Sequence, residues 1–589
     1  MNILINCIDG NLLEGNANFI IKGKDPNIRL LVFGNPILFH ADPFCPLEIE
    51  HKFNSISEVV PHLTGDFLII EERFEKVVAF AVDFFGHSRY YYTIDKNSTI
   101  TISKSASDFF SNNCEFDYYQ IFHFLLKGYT WKGGTFINDL KIICPSIKYL
   151  LHENGLIEEI VKIPEVKDRA SLEDQVSKVL NGIAKCNPES ELNLMFSGGK
   201  DSTFIALILN DCRINFNAIY NKYTNPTFSL NALDALLSSN VAASQGFKYT
   251  ELNNDANSDI SKFVLKTISL LPFEFHISIA QRNIIDFASK SSSKIVLTGQ
   301  NADSLYNFGF TGTYTHYKAI IKFLLGILKP EEYENFVHRY FQSDRVIKSI
   351  AENSPSWLTK SLWKAFNPSA QLTLLNLLSV FTFNGTAIPI FEWRSMEVLA
   401  NKKGQQQVYE RNKKEIADLI KEYKNGNIFS LRELLIRIKL LGHCQGKDVR
   451  CITEWCREYG LKNIQVYSAS PVFWKLLHLP ITLKDIYQPK YLIYRFIKKR
   501  VNYDKLDKLI QKQYDNKSVV QNENELFSEL VSQIDRSLVI NGVQYAIEIL
   551  KKSDFFNLDI IEKRAEADHV FRLKLFWLGM SLKNITQTT

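Results

Sequence analysis

The stretch LNLMFSGGKDSTFIALIL, residues 192–209, decides the fold of the larger part of this chain. An apolar run of strand character leads directly into a polar loop, and an apolar run of helical character follows it. The loop consists of Ser197, Gly198, Gly199, Lys200, Asp201 and Ser202. Two glycines allow successive N–H groups to face one anion, and the positive end of the following helix adds to the attraction. The sequence therefore predicts that this loop binds a pyrophosphate group.

Two carboxylates are candidate ligands for a metal ion. A carboxylate inside a phosphate cradle repels the anion, so Asp201 is predicted to hold Mg²⁺ that bridges to the phosphates. Further along, KIVLTGQNADSLYNFG, residues 294–309, has the pattern of a second strand that ends in a loop with Gly299 and Asp303. Ligands collect at the carboxyl edge of parallel sheets, where both loops would lie. We therefore expect Gly299 to line the same site and Asp303 to be the second Mg²⁺ ligand.

Strand-like and helix-like runs alternate around these two loops. The strand-like runs include NFNAIYN, YTEL and KIVLTG, and the helix-like run LNALDALLSSNVAASQG separates the first two. This alternation predicts a doubly wound parallel sheet with helices on both faces. Beyond residue 314 helical patterns dominate, and we expect 314–440 to form a helical insertion.

The N-terminal part has a different pattern. Between residues 67 and 104 short apolar and polar runs alternate, which predicts antiparallel strands joined by tight turns. YLLHENGLIEEI, residues 149–160, has the pattern of a hairpin. A polar segment with Pro164 follows, and a helix is predicted to begin near Ser171. We therefore predict one domain at 1–165 and a second domain at 166–589.

Composition restricts the class of protein. The 589 residues are 46% hydrophobic, enough for large cores in more than one domain. The net charge of +5 comes from 69 basic and 64 acidic residues spread along the chain, so nucleic acid is not an expected partner. The sequence shows neither a secretory signal nor an apolar run that could span a bilayer, which predicts a cytoplasmic protein without a membrane partner.

The loop at 197–202 resembles the SGGxDS loop of the ATP pyrophosphatase superfamily, which cleaves ATP between its first two phosphates. Together with Asp303 it resembles the asparagine synthetase family, whose members carry SGGxDS followed by GxGxDE. Residues 63–93 resemble the family's N-terminal GxFAF…DxFGxxPLYY stretch, and residues 471–499 resemble its PFLD…LP…K…R stretch. The resemblance implies a glutaminase-like (Ntn-type) sandwich of antiparallel sheets, then an ATP pyrophosphatase domain, with ATP and Mg²⁺ as cofactors.

One departure from the family concerns the source of the amide nitrogen. Glutamine-using members have Cys at position 2, whose thiol attacks glutamine, whereas this sequence has Asn2. The N-terminal domain is therefore expected to lack glutaminase activity. In this respect the chain resembles the beta-lactam synthetases and lasso-peptide cyclases, in which an amine of the substrate attacks the acyl-adenylate. The resemblance implies lactam or macrocycle formation on a carboxylate substrate, such as a peptide or amino-acid derivative, with a precursor-processing protein as a candidate partner.

Other departures lie in segments expected to contact the substrate. Asn301 and Ser304 replace the family's second Gly and the acidic residue after Asp303, while Tyr467 and Ala469 replace its Glu and Arg. These changes predict altered substrate contacts.

Two more residues are assigned candidate catalytic roles. The family supplies a Lys near the α-phosphate after its K…R helix, and Lys512 is our choice for this cation, with Lys508 as the alternative. Glu454, in CITEWCREYG, is predicted to orient a base for the incoming amine.

Other functions would also be compatible with this loop. An ammonia-dependent enzyme that amidates a small acid, as in asparagine synthesis, is one, and an ATP-binding scaffold without catalysis is another. Thiolation or tRNA modification is disfavoured because the sequence has no recognisable sulfur-transfer cysteine motif. The presence of both Asp201 and Asp303 favours catalysis, since a site that has lost its chemistry has no need for two magnesium carboxylates.

Overall fold

Two antiparallel sheets, one parallel sheet and many helices make up a mixed α/β fold. The computed structural model describes residues 2–6, 12–14, 17–38, 53–87, 89–152, 155–162, 170–185, 187–188, 190–224, 232–255, 260–276, 279–302, 305, 399–425, 433, 436–437, 440, 448–479, 490–502 and 534–587.

Antiparallel strands dominate the N-terminal region. They are β1 Asn2–Asn6, β2 Leu12–Glu14, β3 Phe19–Lys22, β4 Ile28–Leu38, β5 Leu63–Arg73, β6 Lys76–Val82, β7 Tyr91–Ile94, β8 Thr99–Ser103, β9 Lys141–Ile142, β10 Ile147–His152 and β11 Gly155–Ile160. One sheet has the order β2-β1-β8-β7-β9, and the other has the order β11-β10-β6-β5-β4-β3. Antiparallel pairing of β5 with β6, β7 with β8 and β10 with β11 confirms the strands and the hairpin that the sequence predicts.

Aromatic side chains join the two antiparallel sheets. The ring of Tyr92 on β7 lies edge-on to Phe80 of β6, with centroids 6.3 Å apart. It also lies edge-on to Tyr149 of β10, with centroids 5.7 Å apart. Because β7 belongs to one sheet and β6 and β10 to the other, these contacts lie between the sheets, and the burial of such rings contributes strongly to their packing.

A parallel sheet follows in the second part of the chain. Its strands are β12 Leu192–Met195, β13 Phe216–Thr224, β14 Tyr249–Asp255, β15 Ile295–Thr298 and β16 Lys462–Gln465. Their order is β14-β13-β12-β15-β16, and every neighbouring pair is parallel.

Helices connect and cover these sheets. They are α1 Ile56–Val59, α2 Tyr118–Lys127, α3 Leu172–Lys185, α4 Lys200–Asp211, α5 Ala232–Gln245, α6 Ile260–Leu270, α7 Ile279–Ser289, α8 Lys402–Lys424, α9 Asp448–Glu458, α10 Ser470–His478, α11 Tyr491–Lys498, α12 Arg536–Lys551, α13 Leu558–Ala567 and α14 His569–Gln587, with short 3-10 helices at Val60–His62, Ala106–Phe109 and Val466–Ser468. Helix α3 begins next to Ser171, where the sequence predicts a helix start.

The strand order of the parallel sheet reverses at β12. From β12 the chain moves through α4 and α5 towards one edge, to β13 and β14, and α6 and α7 then return it to β15 on the other side of β12. Since such crossovers are right-handed, the reversal places the two sets of helices on opposite faces, as in a doubly wound sheet. The loops after β12 and β15 therefore open next to each other, at the position where such sheets bind ligands.

Strand β16 lies in the part of the chain beyond residue 314, where helical patterns dominate the sequence. Its sequence, KNIQ, is short and carries one strongly apolar residue, Ile464, so it lacks a strand signal of its own. Pairing with β15 over four residues, from Ile295 opposite Lys462 to Thr298 opposite Gln465, stabilises it. Most of the helical insertion predicted at 314–440 lies outside the described residues.

A buried ion triad joins the antiparallel region to the second part. The carboxylate of Glu274 forms ion pairs with Arg89 and with Arg450, the latter over 2.7 Å, and all three side chains are at most 3% exposed. The Arg450 guanidinium also donates to the carbonyl oxygen of Gly86 over 3.3 Å. Burial lowers the pKa of both guanidinium groups. The triad places three charges in the contact between the two regions.

Apolar and polar contacts extend this interface. The rings of Phe85 and Phe473 lie edge-on with centroids 4.4 Å apart, and the indole of Trp474 donates to the carbonyl oxygen of Pro61 over 2.7 Å. At another point, the ammonium group of Lys574 on α14 donates to the carbonyl oxygen of Leu126, near the end of α2, over 3.0 Å. Residues distant in sequence thus share one packed interior.

None of the helices in the described part of the chain combines the length and the apolar content that crossing a bilayer requires.

Candidate functional site

Gly198 gives the loop after β12 its shape. Its φ of +70° lies in the left-handed region, which favours glycine. A Cβ at this position would lie 2.7 Å from the backbone nitrogen of Ser238 on α5. Both conformation and space therefore require Gly198, and its loop packs directly against the neighbouring helix.

Hydroxyl groups inside the loop hold its curl. The Ser202 Oγ accepts from the backbone nitrogen of Ser197 over 3.2 Å, and the Ser197 Oγ accepts from the backbone nitrogen of Gly199 over 3.3 Å. The Thr203 hydroxyl donates to the carbonyl oxygen of Gly198 over 3.0 Å. These hydrogen bonds stabilise the curled backbone of the loop.

The start of α4 offers an electropositive end to an anion. Gly199 is the N-cap of this helix, and without a side chain it cannot bond the N–H groups of the first turn. Those N–H groups and the helix dipole attract negative charge. Gly199, Lys200, Asp201 and Ser202 thus form the N-cap and the first residues of α4, at its electropositive end.

Gly299 allows the second loop to approach the first. A Cβ at Gly299 would lie 3.1 Å from the backbone nitrogen of Ser202 and 3.3 Å from the carbonyl carbon of Asp201. Such distances are tighter than ordinary contacts, so a larger residue would push the loops apart. The sequence assigns Gly299 to this site, and it lies against the first turn of α4.

Lys490 is a cation at this site that the sequence analysis does not assign. Its ammonium group forms an ion pair with the Asp201 carboxylate, and the two side chains are 9% and 22% exposed. The Lys490 backbone has a φ of +59°, which is uncommon for a residue with a long side chain. Lys490 lies in the 471–499 stretch. Because 289 positions separate it from Asp201, no local sequence pattern could predict their contact.

Helix α11 holds Lys490 in place. Lys490 is its N-cap residue, and α11 packs against α4, where Phe496 lies edge-on to Phe204 with ring centroids 4.9 Å apart. The Lys200 ammonium lies 5.2 Å from the centroid of the Tyr494 ring. Packing between these two helices therefore fixes the ion pair beside the loop.

Tyr467 completes the described part of the site. Its hydroxyl donates to the carbonyl oxygen of Asp201 over 3.1 Å, and its side chain is fully buried. The 3-10 helix that contains it, Val466–Ser468, directly follows β16. The loops after β12, β15 and β16 thus converge on the first turn of α4.

Asn301 explains one departure from the family motif. It has a φ of +68°, and Asn is among the residues that tolerate the left-handed region best after Gly. The replacement of the motif's second Gly by Asn301 is therefore compatible with a left-handed backbone at this position.

The remaining candidate residues are placed as follows. Asp303 and Lys512 lie outside the described residues, and their roles stay predictions. Glu454 is buried on α9, where it forms an ion pair with Arg457, and its other charged neighbours include Arg89. Burial raises the pKa of its carboxyl group. In the described part of the chain, Glu454 forms no hydrogen bond or ion pair with the 197–202 loop, and its role as an orienting group also stays a prediction.

The Mg²⁺ prediction can be compared with the donors present. In the described ranges no group of three or more His, Cys, Asp or Glu side chains could hold a metal ion. Asp201, in the 197–202 loop, is a suitable oxygen donor, but its carboxylate contacts Lys490. A metal ion at Asp201 would therefore share the carboxylate with an ammonium group.

Comparison of the sequence with protein-family models and with curated proteins found no match.

Proposed function

We propose that this protein is an ATP-dependent ligase that adenylates a substrate carboxylate with release of pyrophosphate and then forms an amide bond as an amine displaces AMP from the acyl-adenylate. The observation that carries the proposal is the loop at 197–202. It is pre-shaped by Gly198 and its serines, opens at the strand-order reversal of a parallel sheet, and has a buried ammonium group beside it. A helix start and a fixed cation together suit a triphosphate.

The finer fold assignment belongs to the same proposal. We assign 166–589 to an ATP pyrophosphatase domain, which the parallel sheet with its loop at β12 supports. We assign 1–165 to a glutaminase-like (Ntn-type) sandwich, which the two joined antiparallel sheets support. Asn2 pairs with Ser103 across β1 and β8 and offers no thiol, so we propose that the amine belongs to the substrate itself. The products are then lactams or macrocycles of a peptide or amino-acid derivative.

Each residue of the site has a role in this proposal. The N–H groups of the loop and the first turn of α4 bind the β- and γ-phosphates, which leave as pyrophosphate. Lys490 takes the role that the sequence analysis gives to Lys512, because its ammonium group is held at the loop and can offset charge that develops at the α-phosphate. Tyr467 holds the Asp201 carbonyl oxygen and so the direction of the first turn. Asp201 and Asp303 are the proposed Mg²⁺ ligands, and bound Mg²⁺ would neutralise charge on the departing pyrophosphate.

Pyrophosphate release from ATP by the purified protein tests the proposal. Wild type is incubated with Mg²⁺ and a panel of carboxylates, with and without NH₄⁺, beside Asp201→Asn. Release that requires a substrate with its own amine, and that disappears in the variant, supports the cyclising ligase. Release with a small acid that requires NH₄⁺ would instead favour the amidating enzyme, and ATP binding without any release would favour the scaffold.

A further inference from the structure

The side chain of Asn301 connects two loops of the site. Its amide nitrogen donates to the Gln465 Oε1 over 2.9 Å and to the Ser468 Oγ over 2.8 Å. Asn301 is 8% exposed, Gln465 is 1% exposed and Ser468 is fully buried, so both hydrogen bonds are shielded from water. Loss of such hydrogen bonds destabilises a protein, because the buried acceptors cannot bond to water instead.

The position of these bonds gives them an effect beyond the two loops. Gln465 is the last residue of β16, and Ser468 closes the 3-10 helix Val466–Ser468. Tyr467, between them, donates to the carbonyl oxygen of Asp201. Asn301 therefore binds a residue on either side of Tyr467, and Tyr467 contacts the first turn of α4.

The backbone of Asn301 is as unusual as its side chain. Its φ of +68° costs a residue with a Cβ some free energy, and glycine would adopt it freely. Glycine would keep this backbone but could not make the two hydrogen bonds. Asn is suited to both tasks, since it tolerates the left-handed region and carries two amide donor hydrogens.

We propose that Asn301 is a positioning residue, whose amide fixes the turn that carries Tyr467 and thereby the backbone of the 197–202 loop at Asp201. Its importance for ATP rests on the proposed function, whereas its effect on the loop does not. Asn301 itself needs no contact with the nucleotide, because it acts through Tyr467.

Amide hydrogen exchange of the loop in the ATP-free protein tests this proposal. Asn301→Gly and Tyr467→Phe are each expected to accelerate exchange of a peptide that covers 197–202 about tenfold, and the double variant should add little, since both remove one link. Ser98→Gly is the control, because Ser98 is also left-handed, with a φ of +58°, and lies in the turn between β7 and β8. It should leave exchange of the loop unchanged.

A milder variant keeps the test valid if Asn301→Gly does not fold. Ser468→Ala removes one of the two acceptors without a change of backbone, and it should accelerate the same peptide by a smaller factor. Unchanged exchange in Asn301→Gly or in a folded Ser468→Ala, or fully additive effects in the double variant, would overturn the proposal.

Binding of Mg²⁺-ATP, measured by calorimetry, separates this inference from the proposed function. Asn301→Gly is expected to bind about tenfold more weakly than wild type at a temperature at which both proteins are folded. If exchange of the loop responds as expected but wild type binds no ATP, the positioning role stands and the proposed ligase does not. If wild type binds ATP and Asn301→Gly binds it equally well with unchanged exchange, the proposed ATP site stands and the positioning role is wrong.

Discussion

Lys490 and Asp201 form an ion pair between the residue that precedes α11 and the first turn of α4. Asp201 belongs to the 197–202 loop, and Lys490 precedes a helix that follows the last strand of the parallel sheet in sequence. Because the ammonium group is 9% exposed, water screens this pair less than it would screen a surface pair.

Lys490→Gln should slow pyrophosphate release about 10²- to 10³-fold, because a fixed cation near developing charge accounts for such factors in enzymes. Initial rates at saturating ATP measure the effect. Lys499→Gln, an exposed lysine at the end of the same helix, is the control and should retain the wild-type rate. Equal rates for the two variants would contradict the proposed role of Lys490 near the α-phosphate.

Gly198→Ala should destabilise the protein more than Gly246→Ala. The two glycines share a φ of +70°, so a Cβ meets an unfavourable left-handed backbone at both. A Cβ at Gly198 meets the Ser238 nitrogen at 2.7 Å, whereas a Cβ at Gly246 meets no described atom within 4 Å. We expect about 1 kcal/mol of lost stability for Gly246→Ala and at least about 1 kcal/mol more for Gly198→Ala. Urea unfolding of both variants measures the difference, and equal losses would show that the loop can move away from α5.

Glu274→Gln should cost about 3–5 kcal/mol of unfolding free energy, because it leaves the buried charges of Arg89 and Arg450 without their carboxylate. The matched control is Glu191→Gln, which breaks the pair of Glu191 with Lys248, whose side chain is 56% exposed. The control should lose less than about 1 kcal/mol. Denaturant unfolding at neutral pH compares them, and similar losses would mean that the triad is not desolvated.

Glu454 should make stability depend on pH in a specific direction. Burial raises the pKa of its carboxyl group above the ordinary value of 4.5, so the folded state keeps a proton that the unfolded state has already lost. Stability should therefore fall as pH rises from about 4.5 through the raised pKa. In Glu454→Gln this contribution is absent, so the variant should gain stability relative to wild type with rising pH. Thermal unfolding across this pH range tests the sign, and a constant difference between the proteins would contradict it.

Local patterns predict much of this fold, and contacts distant in sequence account for what they miss. The 192–209 stretch alternates strand, glycine turn and helix within a few residues, so β12, the loop and α4 follow from the sequence alone. Strand β16 forms only because β15 offers it a partner, which no property of KNIQ reveals. Lys490 resembles an ordinary surface lysine until α11 packs against α4 and turns it towards Asp201.

The bond from Lys574 to the Leu126 carbonyl oxygen has a consequence for how the chain is made. The two residues are 448 positions apart, so α2 emerges from the ribosome long before α14 can cover its end. Arg89 is likewise translated before Glu274 and Arg450, with which it forms the buried ion triad. The early part of the chain therefore has uncovered surface while the rest is translated, and uncovered apolar surface favours aggregation. Damage to these contacts should first lower the yield of folded protein, and the molecules that do fold should work normally.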